Sequence, residues 1–173
     1  MNRTDIKIVF ETERLIVRTF KPDDGDIFFA MNGDEEIVRY IRPVKSKEEC
    51  DRFLLEVIKY SDDNPLFGRW AVHEKQTGDF AGSFAVIPVE GTENFQLGYS
   101  LLKKNWGNGY ATELTKGGIV YFFEKTNYNE VYAITEAGNI PSQKVVLKCG
   151  FEISCTRKEN EKEIIEFIFR KNK

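Results

Sequence analysis

The chain has a single histidine, His73, and three cysteines, Cys50, Cys149 and Cys155, with no Cys-x-x-Cys pair among them. That scarcity leaves few ligands for a structural zinc and argues against a disulfide framework, so the cysteines are read as reduced, mostly buried thiols. No Gly-x-Ser-x-Gly elbow occurs, and one histidine gives a Ser-His-Asp triad little to build on. No apolar run approaches the roughly 18 residues that span a bilayer, and the opening Met1-Asn2-Arg3-Thr4-Asp5 has no leader pattern, so a cytoplasmic protein without membrane attachment is expected. Positive charge is not in excess either. Lys and Arg number 25 against 28 Asp and Glu, a net charge of −3, which removes nucleic acid from the expected partners and mildly favours a cationic one. Glycine and proline, 13 and 5 in 173 residues, are too few for collagen-like or low-complexity structure.

What is present is bulk for a core, with 14 Phe, 7 Tyr and 2 Trp, and neither repeat nor linker divides residues 1–173, which read as one domain. Glu13-Arg14-Leu15-Ile16-Val17-Arg18 reads as a first strand. Ile27, Phe28, Ala30 and Met31 follow at helical spacing, with Gly33 placed as a left-handed cap and a second short helical piece around Glu35 to Tyr40. Ser46-Lys47-Glu48-Glu49 has the form of a capping box ahead of Cys50, Phe53, Leu54, Val57 and Ile58. From Gly68 the pattern shortens into a three-stranded meander with turns at Gln76 to Asp79 and Glu90 to Glu93. A helix after Gly109 contains Gly117-Gly118, which predicts close packing on a sheet. A strand at Val131 to Ile134, a short helix from Ser142 and two terminal strands complete the order βααβββαβαββ. This is an α+β architecture with a mixed, mostly antiparallel sheet and helices packed on it.

The stretch from Leu97 to Thr112 reads strand, glycine loop, helix. A helix start leaves up to four N–H groups unpaired and carries about half a positive charge, so a loop lacking Cβ atoms at Gly107 and Gly109 admits an anion such as pyrophosphate. The same letters also suit a plain tight turn and cap. A P-loop is excluded because no lysine follows Gly109, and a dinucleotide fingerprint because Thr112 stands where a third Gly or Ala is needed.

Lys104-x-x-Gly107-x-Gly109 resembles the Arg/Gln-x-x-Gly-x-Gly/Ala signature of the GCN5-related N-acetyltransferases. Gly98-Tyr99, Trp106-Gly107-x-Gly109-Tyr110-Ala111-Thr112-Glu113 and Asn139-x-x-Ser142-x-x-Val145-Val146-Leu147-Lys148-x-Gly150-Phe151 are similar to blocks of its ribosomal-protein acetyltransferase branch, of RimJ and RimL type. The resemblance implies acetyl-CoA as cosubstrate, with its pyrophosphate on the backbone of Asn108, Gly109, Tyr110, Ala111 and Thr112. It also implies a pantetheine arm between two splayed parallel strands, Phe95 to Lys103 and Val131 to Glu136, pairing with the backbone of Leu101 and Leu102. Asn139 would bond that arm, cap the following helix, or do both.

Acetyl transfer to an amine needs a neutral nucleophile, stabilised oxyanion and a proton for the departing thiolate, and no metal. The branch often carries glutamate where this chain has Gln96, and many relatives place a tyrosine acid where it has Val146. Ser142 is then the acid implied near the sulfur, with a first-turn backbone role as the alternative, and Glu136 is the nearest candidate base, with an exposed strand-end carboxylate as its plainer role. Deprotonating an α-amine of pKa about 8 at pH 7 costs about 1.4 kcal/mol, against about 4.6 for a lysine-like amine near 10.4, so a protein or peptide α-amine, or a small amine of similar basicity, is the expected acceptor. The resemblance implies an acceptor groove shaped by Met31 to Asp62, the segment in which Arg39, Arg42, Lys45 and Lys47 lie. A solvated face accounts for them, and reception of an acidic acceptor is the alternative. The competing function is a non-catalytic acyl-CoA-binding sensor or interaction module; monomer and homodimer are both compatible with the resemblance.

Overall fold

A computed structural model describes residues 6–171, and the opening Met1 to Asp5 lies outside them. Strands β1 (Ile8–Glu11), β2 (Leu15–Thr19), β3 (Gly68–Glu74), β4 (Phe80–Pro88), β5 (Phe95–Leu101), β6 (Glu130–Glu136), β7 (Glu152–Glu159) and β8 (Lys162–Arg170) form one sheet in the order β1-β2-β3-β4-β5-β6-β8-β7. Every neighbouring pair is antiparallel except β5 and β6, which are parallel. The helices are α1 (Gly25–Asn32), α2 (Glu35–Val38), α3 (Lys47–Asp63), α4 (Tyr110–Lys125) and α5 (Ile140–Lys148). Among the described residues no helix is long and apolar enough to cross a membrane.

The expected architecture is present; the short helical piece around Glu35 stands as α2, a helix that the order βααβββαβαββ leaves out, one strand is added and one residue is reinterpreted. The added element is β1, a four-residue edge strand too short to show an alternation, which turns the expected first strand into the second arm of a hairpin. Gly33 does end α1, but with φ −90° and ψ −1° it is right-handed, not the left-handed cap its position suggests. It is small for a different reason, because a Cβ there would stand 2.5 Å from Cε2 of Phe29. The capping box at α3 forms as read: Ser46 Oγ accepts from Glu49 N at 3.2 Å and Glu49 Oε2 from Ser46 N at 2.7 Å.

Alternation along the central strands gives the sheet two different faces. Trp70, Val72, Phe84, Val86 and Leu97 pack on one face against Leu114, Ile119 and Phe122 of α4. The glycine pair in α4 lets the helix settle there, since a Cβ on Gly118 would lie 2.2 Å from Cζ of Phe84 and one on Gly117 2.7 Å from Thr12 Cγ2. The opposite face carries a second cluster in which Phe28, Met31, Val38, Leu54 and Val57 of α1–α3 meet Ala71 and Phe80. A buried bidentate ion pair staples this layer to β2: Arg18 Nη1 lies 2.7 Å from Asp24 Oδ2, and Arg18 Nη2 donates to Asp24 Oδ1 at 3.0 Å. Asp24 Oδ2 also accepts from Lys21 N at 2.9 Å.

Past Ala71 the helix-covered face changes character. The rows running across it are Arg69–Ala85–Gly98 and Ala71–Ser83–Ser100, positions with small side chains apart from the arginine. A Cβ on Gly98 would meet nothing within 4 Å. Beside these rows β5 and β6 share a single register pair, Gln96 with Tyr132, and then diverge toward Leu101 and Glu136. Small residues and a splayed strand pair together leave a space that the helices do not fill.

Candidate active site

That space is a cavity of about 680 Å³. Its walls come from the α2 region (Glu36 to Arg42), the small-residue face of β4 and β5, the glycine loop, the end of β6 and the start of α5. Of the residues singled out in the sequence, it gathers Gln96, Leu101, Gly107, Gly109, Tyr110, Ala111, Thr112, Glu136, Asn139 and Ser142 on one surface. Leu102, Lys104 and Asn108 do not line it.

The loop matches its expected physics. Gly107 and Gly109 adopt φ of +77° and +82°, a left-handed conformation that favours residues without Cβ. Gly109 is the N-cap of α4, and no side chain caps that helix. The N–H groups of its first turn are thus left for a ligand, and the helix dipole adds to their pull on an anion. Nothing lies within 4 Å of a Cβ built on Gly107.

A clasp not foreseen from sequence holds the loop. Arg14 Nε binds Glu113 Oε2 at 2.7 Å, its Nη1 donates to the Asn108 carbonyl at 3.1 Å, and its guanidinium lies 4.6 Å from the centre of the Tyr110 ring. Glu113 Oε1 accepts from Thr12 Oγ1 at 2.6 Å and from Arg14 N at 2.7 Å, and these hydrogen bonds hold its carboxyl below the ordinary carboxylate range against the opposing effect of burial. Asn108 therefore contributes its carbonyl to the clasp. Lys104 reaches the other way, to Asp79 at 3.5 Å. Arg14 lies in the stretch read as a first strand and Glu113 in a block of the resemblance, but the 99-residue separation hid the pairing.

The open strand edge belongs mainly to Leu101 and Tyr99. Leu102 N–H donates to Ala81 O at 2.9 Å, so in an antiparallel ladder Leu101 and Tyr99, at the alternate positions opposite Gly82 and Phe84, turn their backbone groups away from β4 and toward the gap. Trp106 Nε1 already donates to Leu101 O at 2.8 Å, leaving the Leu101 N–H and the Tyr99 pair for an added strand. An anion cradle, an exposed strand edge and a gap between parallel strands lie along one cavity. This fits the extended phosphate-bearing thioester that the sequence resemblance implies.

At the far side of the gap, Asn139 Oδ1 accepts from Ser142 N at 3.3 Å, the N-cap role that its sequence position allows. Ser142 Oγ is left free of capping and accepts from Tyr99 Oη at 3.4 Å, a bridge between β5 and α5 that the sequence reading did not contain. Burial raises the Tyr99 phenol above its ordinary value, opposed by the hydrogen bond to Ser142, so at neutral pH it is a proton donor. Gln96 stands where β5 and β6 last pair. Glu136 faces the cavity but its carboxylate is bound by Lys162 Nζ. Val146 is buried, and His73 Nδ1 lies 2.9 Å from Gly78 O, outside the cavity lining. Cys50 and Cys149 are buried free thiols and Cys155 is exposed. Among the described residues no group of three or more His, Cys, Asp or Glu side chains could hold a metal ion.

Comparison with known proteins leads to the same place. Residues 14–152 match the family model described as the acetyltransferase (GNAT) domain. The FsC-acetyl coenzyme A-N(2)-transacetylase of Aspergillus fumigatus is 33% identical over 150 residues, 80% of this chain and 63% of the fungal protein. Among solved structures, the Salmonella typhimurium acetyl transferase that modifies the N-terminal serine of ribosomal protein L7/L12 superposes with a TM-score of 0.79 at 13% identity, covering 97% of this chain and all of that one. Spermidine N-acetyltransferase from Vibrio cholerae, solved with CoA and spermine, gives 0.74 at 17% identity over 90% and 95% of the two chains. With its glycine-capped helix, its splayed strands and a family match across most of its length, the chain belongs to the GNAT acetyltransferases.

Proposed function

We propose that this GNAT enzyme transfers the acetyl group of acetyl-CoA to a primary amine by direct attack within a ternary complex. The observation that carries the reading is the continuity of one cavity from the N-terminus of α4, along the open edge of β5, to Ser142 and Gln96. Acetyl-CoA supplies a thioester carbonyl that a neutral amine can attack. The chain binds and orients it: N–H groups of Tyr110, Ala111 and Thr112 take the pyrophosphate, and the backbone of Leu101 and Tyr99 takes the arm as an extra strand. Holding two reactants in register supplies much of the rate by itself, which suits a site whose side chains are weak acids and bases.

Ser142 is the proton donor to the departing thiolate in this reading, and Tyr99 keeps the serine oxygen supplied by donating to it. Gln96 orients the acceptor and moves no proton. Glu136, tied to Lys162, acts on the amine only through water. The Ser142→Ala variant is expected to lower kcat by about tenfold or more while CoA affinity stays within about twofold, followed by thiol release and calorimetry. Loss of affinity with kcat unchanged would move Ser142 from proton transfer to binding. Gln96→Glu would leave the pH profile of kcat/KM unaltered if that position takes no part in proton transfer; a new titrating limb would show that it does.

Thiol release from acetyl-CoA in the presence of an amine panel, with product mass measured, tests the function itself. An acetylated amine confirms the enzyme. Saturable CoA binding with no acetylated product from any amine identifies the non-catalytic sensor.

A further inference from the structure

The net charge of the chain is negative, yet the acceptor end of the cavity is positive. Its lining includes Arg42 and Arg69, both partly buried, and two acids, Glu36 and Glu136. The acids are already engaged: Glu36 lies 3.1 Å from Lys103 Nζ, which also binds Asp34 at 2.9 Å, and Glu136 pairs with Lys162. The arginines are not. Among the described residues no ion pair involves either one, and no carboxylate is a source of charge on them. Arg42 is anchored by a neutral group, donating through Nη1 to Oδ1 of the fully buried Asn32, and its guanidinium lies 5.5 Å from the centre of the Phe53 ring. That fixes its position without cancelling its charge.

Two partly desolvated guanidiniums without a counter-ion are costly, and burial together with the neighbouring charge of Arg69 pushes Arg42 down to about 9. An anionic ligand offsets that cost, and guanidinium is the side chain best shaped to receive one. The floor leads from the charge to the reaction centre. Arg69 is followed across the sheet by Ala85 and then Gly98, over which there is open space, and the adjoining row ends in Ser100, 5% exposed, whose Oγ has no hydrogen-bond partner. Gln96, on the same face of β5, stands two residues from Gly98.

Building on the acetyltransferase reading, we infer that the acceptor is a small amine that also carries an oxyanion, carboxylate or phosphate, bound by Arg42 and Arg69, with its amine directed along the Ala85–Gly98 row toward the β5–β6 gap. Ser100 Oγ is placed to bond the acceptor along the way. The same pair of charges repels polyamines. Of the four basic residues in this segment, Lys47 serves the solvated role, pairing with Asp51 and Asp26 at the surface, whereas Arg42 turns inward.

The test is a thermal melt of the intact protein saturated with CoA, titrated with matched acceptors: L-glutamate against L-glutamine, β-alanine against its amide, and phosphoethanolamine against ethanolamine, with spermidine as the polycation. Acetylation of the same panel from acetyl-CoA is followed in parallel at equal free-amine concentration. The expected result is at least about a tenfold preference for one anionic member over its neutral partner, the carboxylate and phosphate arms telling which oxyanion is meant. Arg69→Met and Arg42→Met should each flatten that preference while the CoA titration stays unchanged, which also shows that the variants fold. Equal use of charged and neutral partners, preference for spermidine, or no response to any anionic member overturns the inference. Failure of CoA itself to bind would instead overturn the acetyltransferase reading, so the two are distinguished.

Discussion

Replacing Asp24 with alanine is expected to lower the free energy of unfolding by about 3–5 kcal/mol, the range found when one partner of a buried ion pair is removed. The carboxylate is 5% exposed and meets both terminal nitrogens of Arg18, itself 9% exposed, while also accepting from the Lys21 amide. Alanine leaves a guanidinium out of water with only the Thr19 carbonyl, 2.9 Å from Nη1, still to hand. Urea unfolding should show a lower midpoint with an unchanged slope. The double variant Arg18→Met/Asp24→Leu, which removes both charges, should recover much of the loss. A single-variant loss under about 1 kcal/mol would mean that the pair behaves like a solvated surface bridge.

Gly109→Val is expected to weaken acetyl-CoA binding by about tenfold or more. A side chain forced into the left-handed region costs about 1–2 kcal/mol, and a branched one costs more; at Gly109 the strain falls on the residue whose conformation aims the first N–H groups of α4. The valine methyls would also stand beside the Arg14 guanidinium, 3.5 Å from the position of a Cβ. Gly91→Val is the control. That glycine has φ +73° in the β4–β5 turn with nothing within 4 Å, so it takes comparable backbone strain away from the cavity. Calorimetric titration with CoA should separate the two variants; equal affinities would show that the glycine loop does not hold the coenzyme.

How far the letters reached can be judged from particular residues. The helix carrying Ser46 and Glu49, the meander and the glycine-paired helix were legible because each is specified by neighbours three or four residues apart or by strict alternation. The glycine loop was legible because Gly107 and Gly109 mark a conformation as well as a composition. Gly33 shows the limit: its role depends on where the Phe29 ring folds back, which spacing does not encode. Strand β1 is too short to show a period. The Tyr99–Ser142 bridge, the Arg14–Glu113 clasp and the inward turn of Arg69 join residues far apart in the chain or depend on what covers a sheet face. Arg69 alternates correctly with Trp70, but alternation cannot say that small residues beside it would leave its face hollow.

A sheet whose middle is joined by one register pair is mechanically two plates, β1–β5 and β6–β8, meeting along a seam. Helices α4 and α5 span it on one side through Leu114, Phe122 and Val146. A guest laid along the seam would complete the interrupted hydrogen-bond network, and the protein is then expected to be tighter with its reactant bound than after release. On that expectation turnover would also be a cycle of stiffening and relaxation, with release of the spent thiol as the moment at which the two plates loosen.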